Sequence, residues 1–91
     1  MHVALICIDK PGALEIRQAN RPDHVAYLKA SDAVEQAGPF LDADGQMCGS
    51  LIILNVPDLA TAQSWADNDP YAKAGLFQSV SVQHWNRVIP S

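Results

Sequence analysis

Three short segments of the chain carry side chains suited to moving protons or shaping a cleft: Arg21-Pro22-Asp23-His24, Gly38-Pro39 and Asp69-Pro70-Tyr71. An imidazole such as that of His24 is the usual side chain for proton transfer near neutral pH. A carboxylate held against such a ring fixes its tautomer, as the aspartate of a catalytic triad does. Asp69 stands directly before a proline, which is also the pattern of a helix N-cap. One carboxylate has oxygens enough for both jobs. No serine or cysteine is tied to this pair in sequence, so an acyl-transfer triad is not indicated. Tyr27 and Ser31 follow His24 by three and seven residues, on the same face of a helix. Either suits contact with a ligand, as does Ser50 on a strand, while Tyr71 can wall a pocket. Arg21 suits docking of a substrate carboxylate. Each of these residues also has an ordinary structural use, as a core tyrosine, a packed serine or an exposed arginine.

Other chemistries find less support. The 91 residues carry a net charge of −4 and only six Lys and Arg, scattered rather than clustered. Nucleic-acid backbones call for clustered cations. His2 and His84 lack metal-ligand spacing, and neither a metal nor an organic cofactor is expected. Cys7 and Cys48 sit among apolar residues with no cation beside them, which predicts quiet thiols in a reducing cytoplasm. No apolar run reaches membrane-spanning length, and the first nine residues lack the charged n-region and cleavage site of a signal peptide.

The elements that must position these residues follow in a simple order. His2 to Asp9 is apolar at alternate and intervening positions, the pattern of a strand covered on both faces. Pro11-Gly12 breaks it, and Ala13 to Ala19 holds at most a short helical turn. Asn20 as N-cap and Pro22 in the first turn predict a helix to about Gln36, ended by Gly38-Pro39. In that first turn His24 would feel the positive helix end, which opposes the imidazolium, while a nearby carboxylate would favour it. Pro39 to Asp42 reads as a short edge strand. Asp44-Gly45 reads as a hairpin turn and Met47 to Val56 as the third strand. Asp58 caps a second helix, Pro70 opens a further helical turn closed by Gly75, and Ser79 to Ile89 is the last strand. The expected domain, residues 1–91, is therefore an α+β fold of βαββαβ order, ferredoxin-like, with a four-stranded antiparallel sheet and two helices on one face. Strands one and three remain apolar on the other face, which predicts a homodimer closing a dimeric α/β barrel. Trp65 and Trp85 read as anchors of helix packing and of that interface.

The ordered set of these motifs, with the run Ala66-Asp67-Asn68-Asp69-Pro70-Tyr71-Ala72-Lys73-Ala74-Gly75, resembles the YCII-related family over essentially the whole chain. The resemblance implies a ferredoxin-like dimer with a histidine/aspartate-centred site, which falls here on His24 and Asp69. It implies relatives that include a dehydrochlorinase of a chlorinated muconate-type acid, and a fold shared with muconolactone isomerases. The expected activity is proton transfer, isomerisation or elimination on a small metabolite, carboxylate-bearing or derived from an aromatic. The alternative is a non-catalytic ligand-binding or accessory module on the same scaffold.

Overall fold

A computed structural model of the chain describes residues 1–90. Its elements are β1 (His2–Asp9), α1 (Leu14–Ala30), β2 (Val34–Leu41), β3 (Met47–Asn55), α2 (Leu59–Asp67), α3 (Pro70–Lys73) and β4 (Phe77–Trp85). The strands form one antiparallel sheet in the order β2-β3-β1-β4, the ferredoxin-like arrangement. β1 and β3 pair at the centre, with Val3 opposite Leu54, Leu5 opposite Ile52 and Cys7 opposite Ser50.

Directly opposed residues share a face, and this face is the one the helices cover. Val3, Leu5, Cys7, Ile52 and Leu54 are buried there with Val56 and with Ala62 and Ala66 of α2. Leu28 of α1 and Trp65 of α2 pack against the same cluster. The other face carries Ala4, Ile6, Ile8, Leu51 and Ile53, of which Ala4 opposes Ile53 and Ile6 opposes Leu51. Ile8 is exposed, whereas Ala4 and Ile53 are buried.

Several expected landmarks hold. Asp58 accepts from the Thr61 backbone N–H and caps α2. Asp69 accepts from the Tyr71 N–H and caps α3. Gly45 has φ of 78° in the β2–β3 hairpin, and Gly75 has φ of 73° just after α3, both conformations that favour glycine.

The first helix departs from expectation at both ends. It begins at Leu14, with Ala13 as N-cap and no side-chain cap. Pro22 therefore lies inside the helix rather than in its first turn, and Asn20 donates from its side chain to the Ile16 carbonyl instead of capping. The interior proline forgoes one backbone hydrogen bond, and packing of α1 on the sheet overrides that local penalty. His24 thus sits mid-helix, and the helix-start argument for its charge does not apply. The helix also stops earlier, at Ala30. Val34 to Gly38 join β2 because the outer edge of β3 needs a partner: Val34 pairs with Leu54, Ala37 with Ile52 and Pro39 with Ser50. Gly38-Pro39 lies within this strand rather than ending a helix, and Pro39 is on an edge, as expected for proline. β4 begins and ends earlier than expected, at Phe77 and Trp85.

Candidate functional site

Helix α1 presents Arg17, Arg21, His24 and Leu28 at spacings of four, three and four residues, one stripe of a helix. That stripe faces β2 and β3 across a cavity of about 430 Å³. Apolar walls come from Val25, Leu28, Ala37, Pro39, Met47 and Ile52. The polar lining is Arg17, Arg21, His24, Lys29, Ser31, Ser50 and the ring of Tyr71. Among the described residues no carboxylate joins the lining, so the cavity favours an anionic or oxygen-rich ligand.

His24 and Asp69 come together from positions 45 residues apart in the chain. The imidazole Nδ1–H donates to Asp69 Oδ1 at 2.8 Å, and the same oxygen accepts from the Tyr71 backbone N–H at 2.9 Å. The carboxylate is an acceptor only, so in the neutral ring it selects the tautomer with hydrogen on Nδ1, which leaves the lone pair on Nε2. Both residues are buried. The Tyr71 ring stacks on the imidazole, with centroids 3.8 Å apart and planes within 16°. Asp69 reaches His24 because capping α3 holds its carboxylate at the start of that short helix, beside α1.

A second buried pair stands on the other side of the site. Arg17 donates from Nε to Asp9 Oδ2 at 2.7 Å and from Nη2 to Asp9 Oδ1 at 2.9 Å. Its Nη2 also donates to Ser50 Oγ at 3.0 Å. The guanidinium lies 4.6 Å from the centre of the Tyr71 ring. Burial opposes the charge on Arg17, yet the hydrogen bonds and charge of Asp9 outweigh it and raise the pKa. Burial pushes the Tyr71 phenol up, partly offset by the charges of Arg17 and Arg21, so the group remains a hydroxyl. Burial, with the charge of Asp69, also pushes the Cys7 thiol up to about 12. Cys7 is a core thiol without nucleophilic character.

Of the residues singled out from sequence, His24, Arg21, Ser50 and Tyr71 all line the cavity, and Asp69 lies behind His24. Tyr27 does not join them. Its hydroxyl donates to the Trp65 carbonyl at 2.8 Å, and its ring packs on Trp65. Ser31 lines the cavity but accepts from the Trp65 indole N–H at 3.0 Å. These two residues fasten α1 to α2, because a mid-helix tyrosine three residues from His24 is rotated toward the neighbouring helix. Burial and the charge of Asp69 raise the Tyr27 phenol as well. Arg17 and Asp9 went unnoticed in the sequence. The available signal was the seven-residue spacing of Arg17 and His24, which places them on one helix face only if the helix starts before Pro22.

Comparison with known proteins places the chain in a family. The YCII-related domain model matches residues 1–86. The chain is 36% identical over 89 residues to Protein YciI of Escherichia coli O6:H1, covering 88% of this chain and 91% of that protein. It superposes with a TM-score of 0.89 on 5-chloro-2-hydroxyhydroquinone dehydrochlorinase of Burkholderia phenoliruptrix in complex with 2,5-dihydroxybenzoquinone. Identity there is 34%, with 94% of each chain covered. That dehydrochlorinase is named for a chlorinated aromatic ring, not for the muconate-type acid expected from the resemblance. SnoaB of Streptomyces nogalater, a cofactor-independent oxygenase, shares the fold alone, at 11% identity, a TM-score of 0.58 and coverage of 99% of this chain and 95% of that one. By the match of its domain and the identity of its relatives, the chain belongs to the YCII-related family.

Proposed function

We propose that this protein is a small lyase or isomerase in which His24 exchanges a proton with a carbon next to a carbonyl or carboxylate. Asp69 holds the imidazole with Nε2 free, and Arg21 at the cavity rim docks an anionic group of the substrate. The observation that carries this reading is the buried His24–Asp69 hydrogen bond at the wall of a cavity lined by cations. The dehydrochlorinase among its relatives supports a small oxygenated ring as substrate class. The same reading makes the protein a cytoplasmic homodimer, closed over the sheet face that bears Ile6, Ile8 and Leu51. Sedimentation at micromolar concentration should give twice the 9.8 kDa chain mass, and a monomer stable to dilution would remove the dimer.

The catalytic reading is tested with His24→Asn, whose side-chain N–H stands near the Nδ1 position and can keep the bond to Asp69. Chlorinated hydroxyquinols and unsaturated carboxylic acids are screened for halide release or double-bond migration, with 2,5-dihydroxybenzoquinone as a binding probe. Turnover should fall by roughly 10²- to 10⁴-fold, the usual worth of a general acid or base. Full turnover in the variant, or a parent protein that binds the probe and turns nothing over, would favour the accessory binding module.

A further inference from the structure

The inner end of the cavity offers hydrogen-bond donors with no acceptors to receive them. Arg17 commits Nε and Nη2 to Asp9 and Ser50, and no protein acceptor among the described residues takes its Nη1. Ser50 accepts from Arg17 through Oγ, so its own hydroxyl proton stays available. The Tyr71 hydroxyl is buried and has no partner in good hydrogen-bond geometry, the one side-chain polar atom of that kind among the described residues. The Arg17 guanidinium comes near enough to lower the pKa of that phenol both by its charge and as a side-chain donor, but the contact is too poorly aligned to satisfy the oxygen with good hydrogen-bond geometry. Native proteins rarely leave such a group, and one beside a cavity calls for an explanation. Arg17, Ser50 and Tyr71 all line the cavity, and each is at most 2% exposed. Asp9 neutralises Arg17, so this corner carries donors without net charge. A permanent anion is better served by Arg21 at the rim, which has no carboxylate partner among the described residues.

We propose that Arg17, Ser50 and Tyr71 form an oxygen-binding corner that receives the carbonyl oxygen of a ketone or quinone substrate and stabilises it as an enolate. This rests on His24 as the proton-transferring group. His24 Nε2 takes the proton as the C–H bond breaks. The C–H electron pair becomes the new C=C bond, and the carbonyl π pair moves to the oxygen, where the corner's donors meet the charge. Return of the proton to a different carbon completes an isomerisation. In an elimination the oxygen's electrons re-form the carbonyl, the enolate C=C pair shifts to become the α,β double bond, and the β-halide departs with its bonding pair.

Tyr71→Phe removes only the orphaned hydroxyl. It should raise Tm, because no partner is lost, and weaken binding of 2,5-dihydroxybenzoquinone by roughly tenfold, measured by calorimetry. A hydroxyl kept for structure alone would not produce this opposition of stability and affinity. Ser50→Ala, a smaller change, should also weaken the probe severalfold while folding normally. Unchanged probe affinity in both variants overturns the corner. If that result accompanies loss of turnover in His24→Asn, the general-base reading stands and only the corner falls. Weakened affinity in Tyr71→Phe and Ser50→Ala with full turnover in His24→Asn supports the oxygen site and overturns the role of His24.

Discussion

Two clusters in this molecule use the same side-chain types, an arginine, a histidine and carboxylates, in different surroundings. In one, Arg17 and Asp9, and His24 and Asp69, are sealed against the Tyr71 ring, with side chains no more than 9% exposed. In the other, Glu35 accepts from His2 Nε2 at 2.9 Å and from Arg87 at 2.8 Å, with side chains 28–29% exposed. The bond lengths are nearly equal, so distance does not separate them. Water does. At the outer cluster solvent replaces any partner that leaves. At the inner one a lost partner strands a buried charge. The outer cluster ties the chain beyond β4 to β2, whereas the inner one holds orientation at a cavity wall.

The contrast is broken most severely by Arg17→Ala or Asp9→Ala, each expected to cost about 3–5 kcal/mol of stability in denaturant unfolding. Converting both together to apolar residues of similar size, Arg17→Met with Asp9→Leu, should recover much of that loss, since the pair's desolvation penalty disappears as well. A double variant no better than the singles would mean that the network with Ser50 and Tyr71, rather than charge burial, sets the stability. At the small end, Arg87→Ala should leave Tm unchanged within error at neutral pH. The hydrogen bond from His2, followed by the charges of His2 and Arg87, holds Glu35 below the usual carboxylate range. Any contribution from Glu35 is therefore present above the ordinary carboxylate pKa and is lost as pH falls through the depressed one. A large Tm loss in Arg87→Ala would erase the distinction between the clusters.

What could be read from sequence divides along similar lines. Local signals located the central strands, the Asp44-Gly45 turn and the caps at Asp58 and Asp69, because each depends on neighbours a few residues away. The pairing of His24 with Asp69 was legible only through the family resemblance, since 45 residues separate them. The start of α1 was missed because Ala13 is no capping residue, while Asn20 and Pro22 imitate a helix start. The first half of β2 was missed because its pairing with β3 is a tertiary demand that Val34 to Ala37 do not announce. Those two errors together hid the inner cluster. With the helix begun at Asn20, Arg17 belonged to a loop and could not share a face with His24.

The central claim is that Asp69 holds His24 with hydrogen on Nδ1 and a free lone pair on Nε2. Long-range ¹⁵N–¹H correlation NMR of the imidazole, recorded on the parent protein and on Asp69→Asn, reads this directly. In the neutral ring of the parent, Nδ1 should show the shift of a protonated nitrogen and Nε2 that of a bare one. The amide introduced by Asp69→Asn keeps an oxygen able to accept from both His24 and Tyr71. The imidazole should therefore remain placed in that variant, with its tautomer preference weakened by loss of the charge. An Nε2–H tautomer in the parent, or a tautomer population indifferent to Asp69→Asn, would contradict the account.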